Sequence, residues 1–336
     1  MQFLSDNTAP AAPEVMAALA AVNHRPARSY GADEASLRLD AAFGRFFGCE
    51  VRVFPVATGT AANALSLATL SPPWGAIFCT DVAHVVNDEC GAVELQSSGA
   101  RLVPLPSRDG KLAADTLAHE LDGLVPSVHS LLPSAVTLAT VTECGTLYTA
   151  AELAALANVA HAHGLPLHLD GARFANALAA QDGSPAALTW QAGIDVLSFG
   201  ATKNGALAAE AVVFFNLDLV RDFERRRKRA AQLFSKMRYL SAQLLACIEG
   251  DFFLANAARA NQLASRIAAA AGQRLVYPAE ANMVFLRLVD QEAASLRAQG
   301  FEFHAWGPPA QGHYRFVVSW DQPEGDVDAL CRALQT

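Results

Sequence analysis

A single lysine follows the apolar run in "VLSFGATKNG", residues 196–205, and it is one of only four lysines in the chain, against 21 arginines. That scarcity and its small, apolar neighbours set Lys203 apart from a lysine that merely solvates a turn. A partly desolvated ammonium has a lowered pKa and becomes a usable nucleophile. Three other short segments also follow apolar runs. "HLDGARFANAL" places Asp170 at the end of one, with Arg173 three residues on. The carboxylate there needs a partner, either a ligand or Arg173 itself in a self-contained ion pair that holds a helix start. "ATGTAANALSL" opens a helix on Thr58, Gly59 and Thr60, either as a phosphate cradle of free N–H groups or as a plain tight turn. It is neither a Walker A sequence nor Gly-x-Gly-x-x-Gly. "TDVAHVVNDECGAVE" offers His84, structural or catalytic, with Asp88 and Glu89 able to orient it or to act themselves. A phosphate cradle, a carboxylate, an arginine and a lysine on one sheet edge match the needs of pyridoxal phosphate. Its phosphate takes backbone donors, its pyridinium nitrogen a carboxylate, and its aldehyde a lysine.

Such a constellation needs a scaffold that brings strand ends together. Apolar runs at 51–57, 76–79, 100–106, 135–141, 165–170, 194–200 and 211–216 read as strands. Helical stretches at 60–70, 87–97, 113–122, 149–163 and 172–180 alternate with them, the fourth capped by Thr149 and stopped by Gly164. The expected fold is α/β, a mostly parallel seven-stranded sheet covered on both faces. In such sheets ligands bind outside the carboxyl ends of the strands. Beyond residue 217 the texture changes. One long helical pattern covers 218–248 and another 252–271, followed by strands at 283–288, 301–306 and 314–320, a helix near 291–299 and a final helix. The expected division is an N-terminal arm and helix (1–28), a large α/β domain (29–248) and a small C-terminal α+β domain (249–336).

The chain has 336 residues, 52% of them hydrophobic, enough for a large core, and a net charge of −8 that argues against nucleic acid and anionic membranes as partners. One local exception is "RDFERRRKRA", residues 221–230, either a solvated helix face or an anion site. The six cysteines are scattered without a Cys-x-x-Cys pair, so neither a metal site nor a disulfide framework is expected, and a cytoplasmic location is. "MQFLSDNTAP" does not read as a signal peptide, and the apolar runs fall short of a membrane span.

Over nearly its whole length the chain resembles the L-threonine aldolases of the low-specificity type, pyridoxal-phosphate enzymes of the aspartate-aminotransferase-like fold (fold type I) within the β-eliminating lyase group. The segments that carry the resemblance are "FLSDNTAP", "YGADEAS", "ATGTAAN", "AHVVNDECGAVE", "HLDGARFANAL", "SFGATKNGALAAEAVVFF" and "FSKMRYLSAQ". The resemblance implies that Lys203 forms the Schiff base and Asp170 pairs with the pyridinium nitrogen. Arg173 would lie near the ring hydroxyl and the substrate carboxylate. Gly59 and Thr60, with Thr202, would hold the cofactor, and His84 would stack on the ring and handle the β-hydroxyl proton. Ser5 and Arg315 would fix the substrate carboxylate, with Asp88 close by. Tyr30 and a basic residue of 225–229 such as Arg229 would reach a neighbouring subunit's site, implying a homotetramer of paired dimers. The implied reaction is reversible cleavage of L-threonine, L-allo-threonine and related β-hydroxy amino acids such as phenylserine to glycine and an aldehyde. The rival readings are another lyase or an aminotransferase of the same fold, and a catalytically silent ligand-sensing domain.

Overall fold

In a computed structural model, which describes residues 1–125, 127–181 and 183–335, the seven expected strands form one sheet. They are β1 (Arg52–Val56), β2 (Gly75–Thr80), β3 (Arg101–Leu105), β4 (Leu132–Ala139), β5 (Leu167–Gly171), β6 (Val196–Gly200) and β7 (Glu210–Phe214). Their spatial order is β1-β7-β6-β5-β4-β2-β3. β7 runs antiparallel to both of its neighbours, and every other pairing is parallel. β2, β5, β6 and β7 are buried along their whole length, which is why they read as continuous apolar runs rather than alternating ones. The fold is the mostly parallel α/β sheet expected.

Helix Gly59–Leu70 buries seven consecutive residues, Ala62 to Ala68. It crosses under the sheet and carries its first turn to the carboxyl end of β1. Helix Ala150–Ala162 begins with a reciprocal cap, the Thr149 hydroxyl on the Glu152 N–H and the Glu152 carboxylate on the Thr149 N–H. A second, antiparallel sheet joins β8 (Met283–Arg287), β9 (His304–Trp306) and β10 (His313–Val317) in the order β8-β10-β9. Helix Phe252–Ala271 serves two cores. Phe253 and Ala257 pack with the large sheet, while Leu263, Ala264, Ile267 and Ala271 pack with the small one. The first residues join the small sheet: Gln2 bridges Glu302, and Phe3 is fully buried against Phe301 and Phe316.

Three elements differ from expectation. The single pattern over 218–248 is two helices, Phe223–Arg229 and Arg238–Glu249. The break holds neither glycine nor proline. Tertiary bonds hold it instead: Gln232 Oε1 accepts the Ala57 N–H at 2.9 Å, the Ser235 carbonyl accepts the Tyr30 N–H at 3.0 Å, and Ala231 turns left-handed at φ 61°. The helix expected at 87–97 is two short ones, His84–Asn87 and Ala92–Ser97, because Cys90 and Gly91 both take positive φ between them. The strand expected at 301–306 is continuous only over His304–Trp306, with Glu302 in an isolated bridge to Gln2. Among the described residues no helix is long and apolar enough to cross a membrane.

Candidate active site

The hairpin of β6 and β7 pairs Gly200 with Glu210 and leaves residues 201–209 as its connection, with Lys203 in the 3₁₀ turn Thr202–Asn204. That loop is anchored from outside. Gln243 Oε1 accepts the N–H groups of Leu207 and Ala208 at 2.8 and 3.1 Å, Asn204 donates to the Phe253 carbonyl at 2.5 Å, and Gly205 O accepts from Ala12 at 2.7 Å. Thr202 Oγ1 closes the loop on the backbone of Ala209. Among the described residues the Lys203 ammonium has no hydrogen-bond and no ion-pair partner. Burial pushes its pKa down and the charge of Arg173 adds to the depression, against the opposing carboxylates of Asp6, Asp170 and Glu210. Glu210 is itself pushed up to about 7 by burial, so it is a weak counter-charge near neutrality.

Asp170, buried at the end of β5, is held at both oxygens. Oδ1 accepts the Ala172 N–H at 2.9 Å and Oδ2 accepts from Asn63 Nδ2 at 2.7 Å. Asn63 lies on the second turn of the helix that Gly59 opens, and the same nitrogen donates to Glu89 Oε1 at 2.8 Å. Glu89 Oε1 in turn contacts His84 Nδ1 at 2.9 Å. One chain of bonds therefore runs His84–Glu89–Asn63–Asp170. The bond to Glu89 raises the pKa of His84 against the opposing effect of burial. Burial raises that of Glu89, against its bonds from His84 and Asn63. The backbone N–H of His84 donates to Glu143, whose carboxyl burial pushes up to about 7. Beneath Asp170, His168 bonds Thr137 and Ser198 at 2.8 and 2.9 Å, and burial takes its pKa down to about 4, so it is a neutral prop.

Arg173 does not pair with Asp170. Its Nε and one terminal nitrogen form a fork on Asp6 at 2.6 and 2.9 Å, and Asn282 donates to the same carboxylate at 3.0 Å. Asp6 is fully buried in the turn that Ser5 caps by accepting the Asn7 N–H. Arg315 comes from β10 with its guanidinium 5.5 Å from the Trp306 ring centre, and its Nε is buried without a partner. Burial and the nearby Arg173 charge lower its pKa, while Asp6 and Asp88 oppose them, which places all four groups in one field. At the start of helix Gly59–Leu70 the Thr58 side chain accepts from Ala61, leaving the N–H groups of Gly59 and Thr60 outside the intrahelical ladder. A Cβ on Gly59 would meet nothing within 4 Å, so the approach to these donors is open.

These groups suit pyridoxal phosphate: free helix-start donors for a phosphate, a carboxylate fixed by two bonds, a lysine with a depressed pKa, and an orphaned arginine donor for a carboxylate. The β-eliminating lyase family model matches residues 2–291. The chain belongs to that family. It is 41% identical to the low specificity L-threonine aldolase of Pseudomonas aeruginosa, over 99% of this chain and 97% of that one. A solved threonine aldolase from Leishmania major superposes with a TM-score of 0.93 at 27% identity, covering 99% of this chain and 98% of that one. Serine palmitoyltransferase of Sphingomonas wittichii, at 17% identity and a TM-score of 0.70 over 100% of this chain and 86% of that one, shares the fold.

In this β-eliminating lyase the strand ends bring Asp170, Arg173 and His84 within electrostatic reach of Lys203, and Arg315 within reach of Arg173. Tyr30 and Arg229 lie elsewhere and neither hydrogen-bonds nor ion-pairs with any of these groups. Tyr30 is half exposed with the Lys228 ammonium 4.7 Å from its ring centre, and Arg229 is exposed at the end of its helix. Asp6, Asn63 and Glu210 were not singled out by sequence. Asn63 alone had a visible signal, lying four residues past Gly59 on the same helical face.

Proposed function

We infer that this β-eliminating lyase is an L-threonine aldolase with pyridoxal 5′-phosphate as its cofactor, cleaving L-threonine, L-allo-threonine and related β-hydroxy-α-amino acids such as phenylserine to glycine and an aldehyde, and running in reverse. The observation that carries the reading is the unpaired, desolvated Lys203 within the electrostatic reach of a carboxylate locked at both oxygens. Bound cofactor supplies an electron sink for the pair released when the Cα–Cβ bond breaks. In this reading Lys203 holds the cofactor through its amine, Asp170 keeps the ring nitrogen protonated, and Gly59, Thr60 and Thr202 hold the phosphate end. Arg315 receives the substrate carboxylate as a fork, with Ser5 beside it and Asp88 across from it, which fixes the rotation of the substrate about Cα. Arg173 has two donors committed to Asp6, so its remaining donors would be available to the ring hydroxyl and the substrate carboxylate. His84 takes the β-hydroxyl proton at Nε2, since Nδ1 is held by Glu89.

The exposed Tyr30 and Arg229 fit a role in the site of a neighbouring subunit, which supports an assembly of at least two chains and, in the fullest form, a cytoplasmic homotetramer. The division at residues 28 and 248 belongs to the same reading, with the arm carrying Ser5. The test is incubation of the holoenzyme with L-threonine, L-allo-threonine and phenylserine, reading aldehyde and glycine, with Lys203→Ala alongside. Aldehyde and glycine should appear with the parent protein. The substitution should abolish both that release and the visible absorbance of the bound cofactor. A keto acid with ammonia would assign a different lyase or an aminotransferase, and visible absorbance retained in Lys203→Ala would remove Lys203 from its role.

A further inference from the structure

We propose that Asp6, on the N-terminal arm, is a positioning residue that neutralises and orients Arg173 and thereby sets the proton affinity of the amine at Lys203. The inference rests on the cofactor-binding role given to Lys203 above. Asp6 is 1% exposed, and both of its oxygens are used, by Arg173 at 2.6 and 2.9 Å and by Asn282 at 3.0 Å. A fork of this kind fixes the guanidinium plane as well as supplying charge. Burial alone pushes the Asp6 carboxyl up, yet the charges of Arg173 and Lys203 and the bonds from Arg173 and Asn282 outweigh it and hold it below the usual carboxylate range. Asp6 is therefore a fixed negative charge near neutrality.

Its position is dictated by the small domain. Phe3 donates its N–H to Glu302 O at 2.8 Å and accepts from Val317 at 2.9 Å, and Asn282, which grips Asp6, also donates to Val318 O at 2.9 Å. The arm thus carries a carboxylate from the small sheet to an arginine at the end of β5. The groups that face Lys203 are Asp6 from the arm, Asp170 from β5, Arg173 at the start of helix Phe174–Ala179, Glu210 from β7 and His84 beyond the bonded chain. Asp6 and Arg173 enter that field with opposite signs. Intact, the two charges oppose each other at the amine; broken, the pair leaves an uncompensated cation in its field. The same fork occupies two of the five Arg173 donors, and the unpartnered Nε of Arg315 stands beside the three that remain as a further donor for a substrate carboxylate.

The test is a pH titration of the visible absorbance of the Lys203-bound cofactor in holoenzyme, for the parent protein, Asp6→Asn, Arg173→Gln and the double variant, each verified as folded by circular dichroism. Asp6→Asn keeps the shape and removes the charge, so the midpoint should move to lower pH. Arg173→Gln should move it to higher pH, and the double variant should return it toward the parent value. A purely structural tether would weaken folding without moving midpoints in opposite directions. Unchanged midpoints in folded Asp6→Asn and Arg173→Gln would overturn the proposal while leaving Lys203 in its role. If Asp6→Asn does not fold, the direction of the Arg173→Gln shift decides. Absence of a visible band in the parent protein would remove the role of Lys203 and the proposal with it.

Discussion

Asn63 is the residue whose replacement tests most of the site at once. Its amide nitrogen donates to Asp170 at 2.7 Å and to Glu89 at 2.8 Å, so one side chain holds two carboxylates in place. Asn63→Leu keeps the branched shape and deletes both donors. Hydrogen bonds to ionised groups contribute about 1.5–3 kcal/mol each, so the two sum to roughly 3–6 kcal/mol. The lower half of that range applies, because Asp170 keeps the Ala172 N–H and Glu89 keeps His84. Unfolding entropy near 2.1 cal/mol/K per residue gives about 0.7 kcal/mol/K for a chain of this length, so a loss of ~3–4 kcal/mol lowers Tm by roughly 4–6 °C. The deficit should depend on pH. Burial raises the pKa of Glu89, so its ionised form opposes folding; that opposition is absent below the unfolded pKa and complete above the folded one. Removing the amide raises the folded pKa further. The deficit is therefore larger at pH 8 than at pH 5.5. Calorimetry at fixed protein and cofactor concentration measures both. A Tm drop under about 1 °C at pH 8, or a deficit that grows on acidification, would refute the account.

The remaining predictions concern the proton path and the backbone beneath it. Glu89 is the main reason His84 binds its proton above the ordinary histidine range, and a base must be neutral, so kcat/KM for cleavage should rise with pH through that raised pKa. Glu89→Gln should move this acid limb to lower pH; a limb that stays put removes His84 as the group being titrated. His84→Phe should slow cleavage by about 10²–10⁴-fold while the visible band persists, and near-parent cleavage would pass the base role to Asp88 or to water. Gly200 sits three residues before Lys203, and a Cβ there would lie 2.5–2.7 Å from the backbone of Ala172, one of the two residues between Asp170 and Arg173. Gly200→Ala should cost about 1–3 kcal/mol of stability and speed cofactor loss on dialysis, whereas parent-like retention would mean that the two strand ends are more compliant than their packing indicates.

The strands were legible because burial on both faces leaves a simple mark, a continuous apolar run, and Lys203 stood out because lysine is scarce in the chain and its neighbours are small and apolar. What was not legible is held by contacts distant in sequence. The reversal of β7 leaves no trace in an apolar segment that reads the same in either direction. The break at 230–237 is made by Gln232 bonding Ala57, 175 residues away, without any glycine or proline to announce it. Sequence leaves Asp170, three residues off, as one of two open partners for Arg173, and the ion pair lies instead at Asp6, separated by 167 residues. That difference changes the chemistry. With Arg173 neutralised by the arm, Asp170 forms no ion pair with it, and its hydrogen bonds come from dipolar partners, Asn63 and the Ala172 N–H. A carboxylate held by dipoles retains its full charge for a ligand, whereas one already paired with an arginine would have little left to offer a pyridinium nitrogen. The arm is therefore as much a part of this site's electrostatics as the strand ends are.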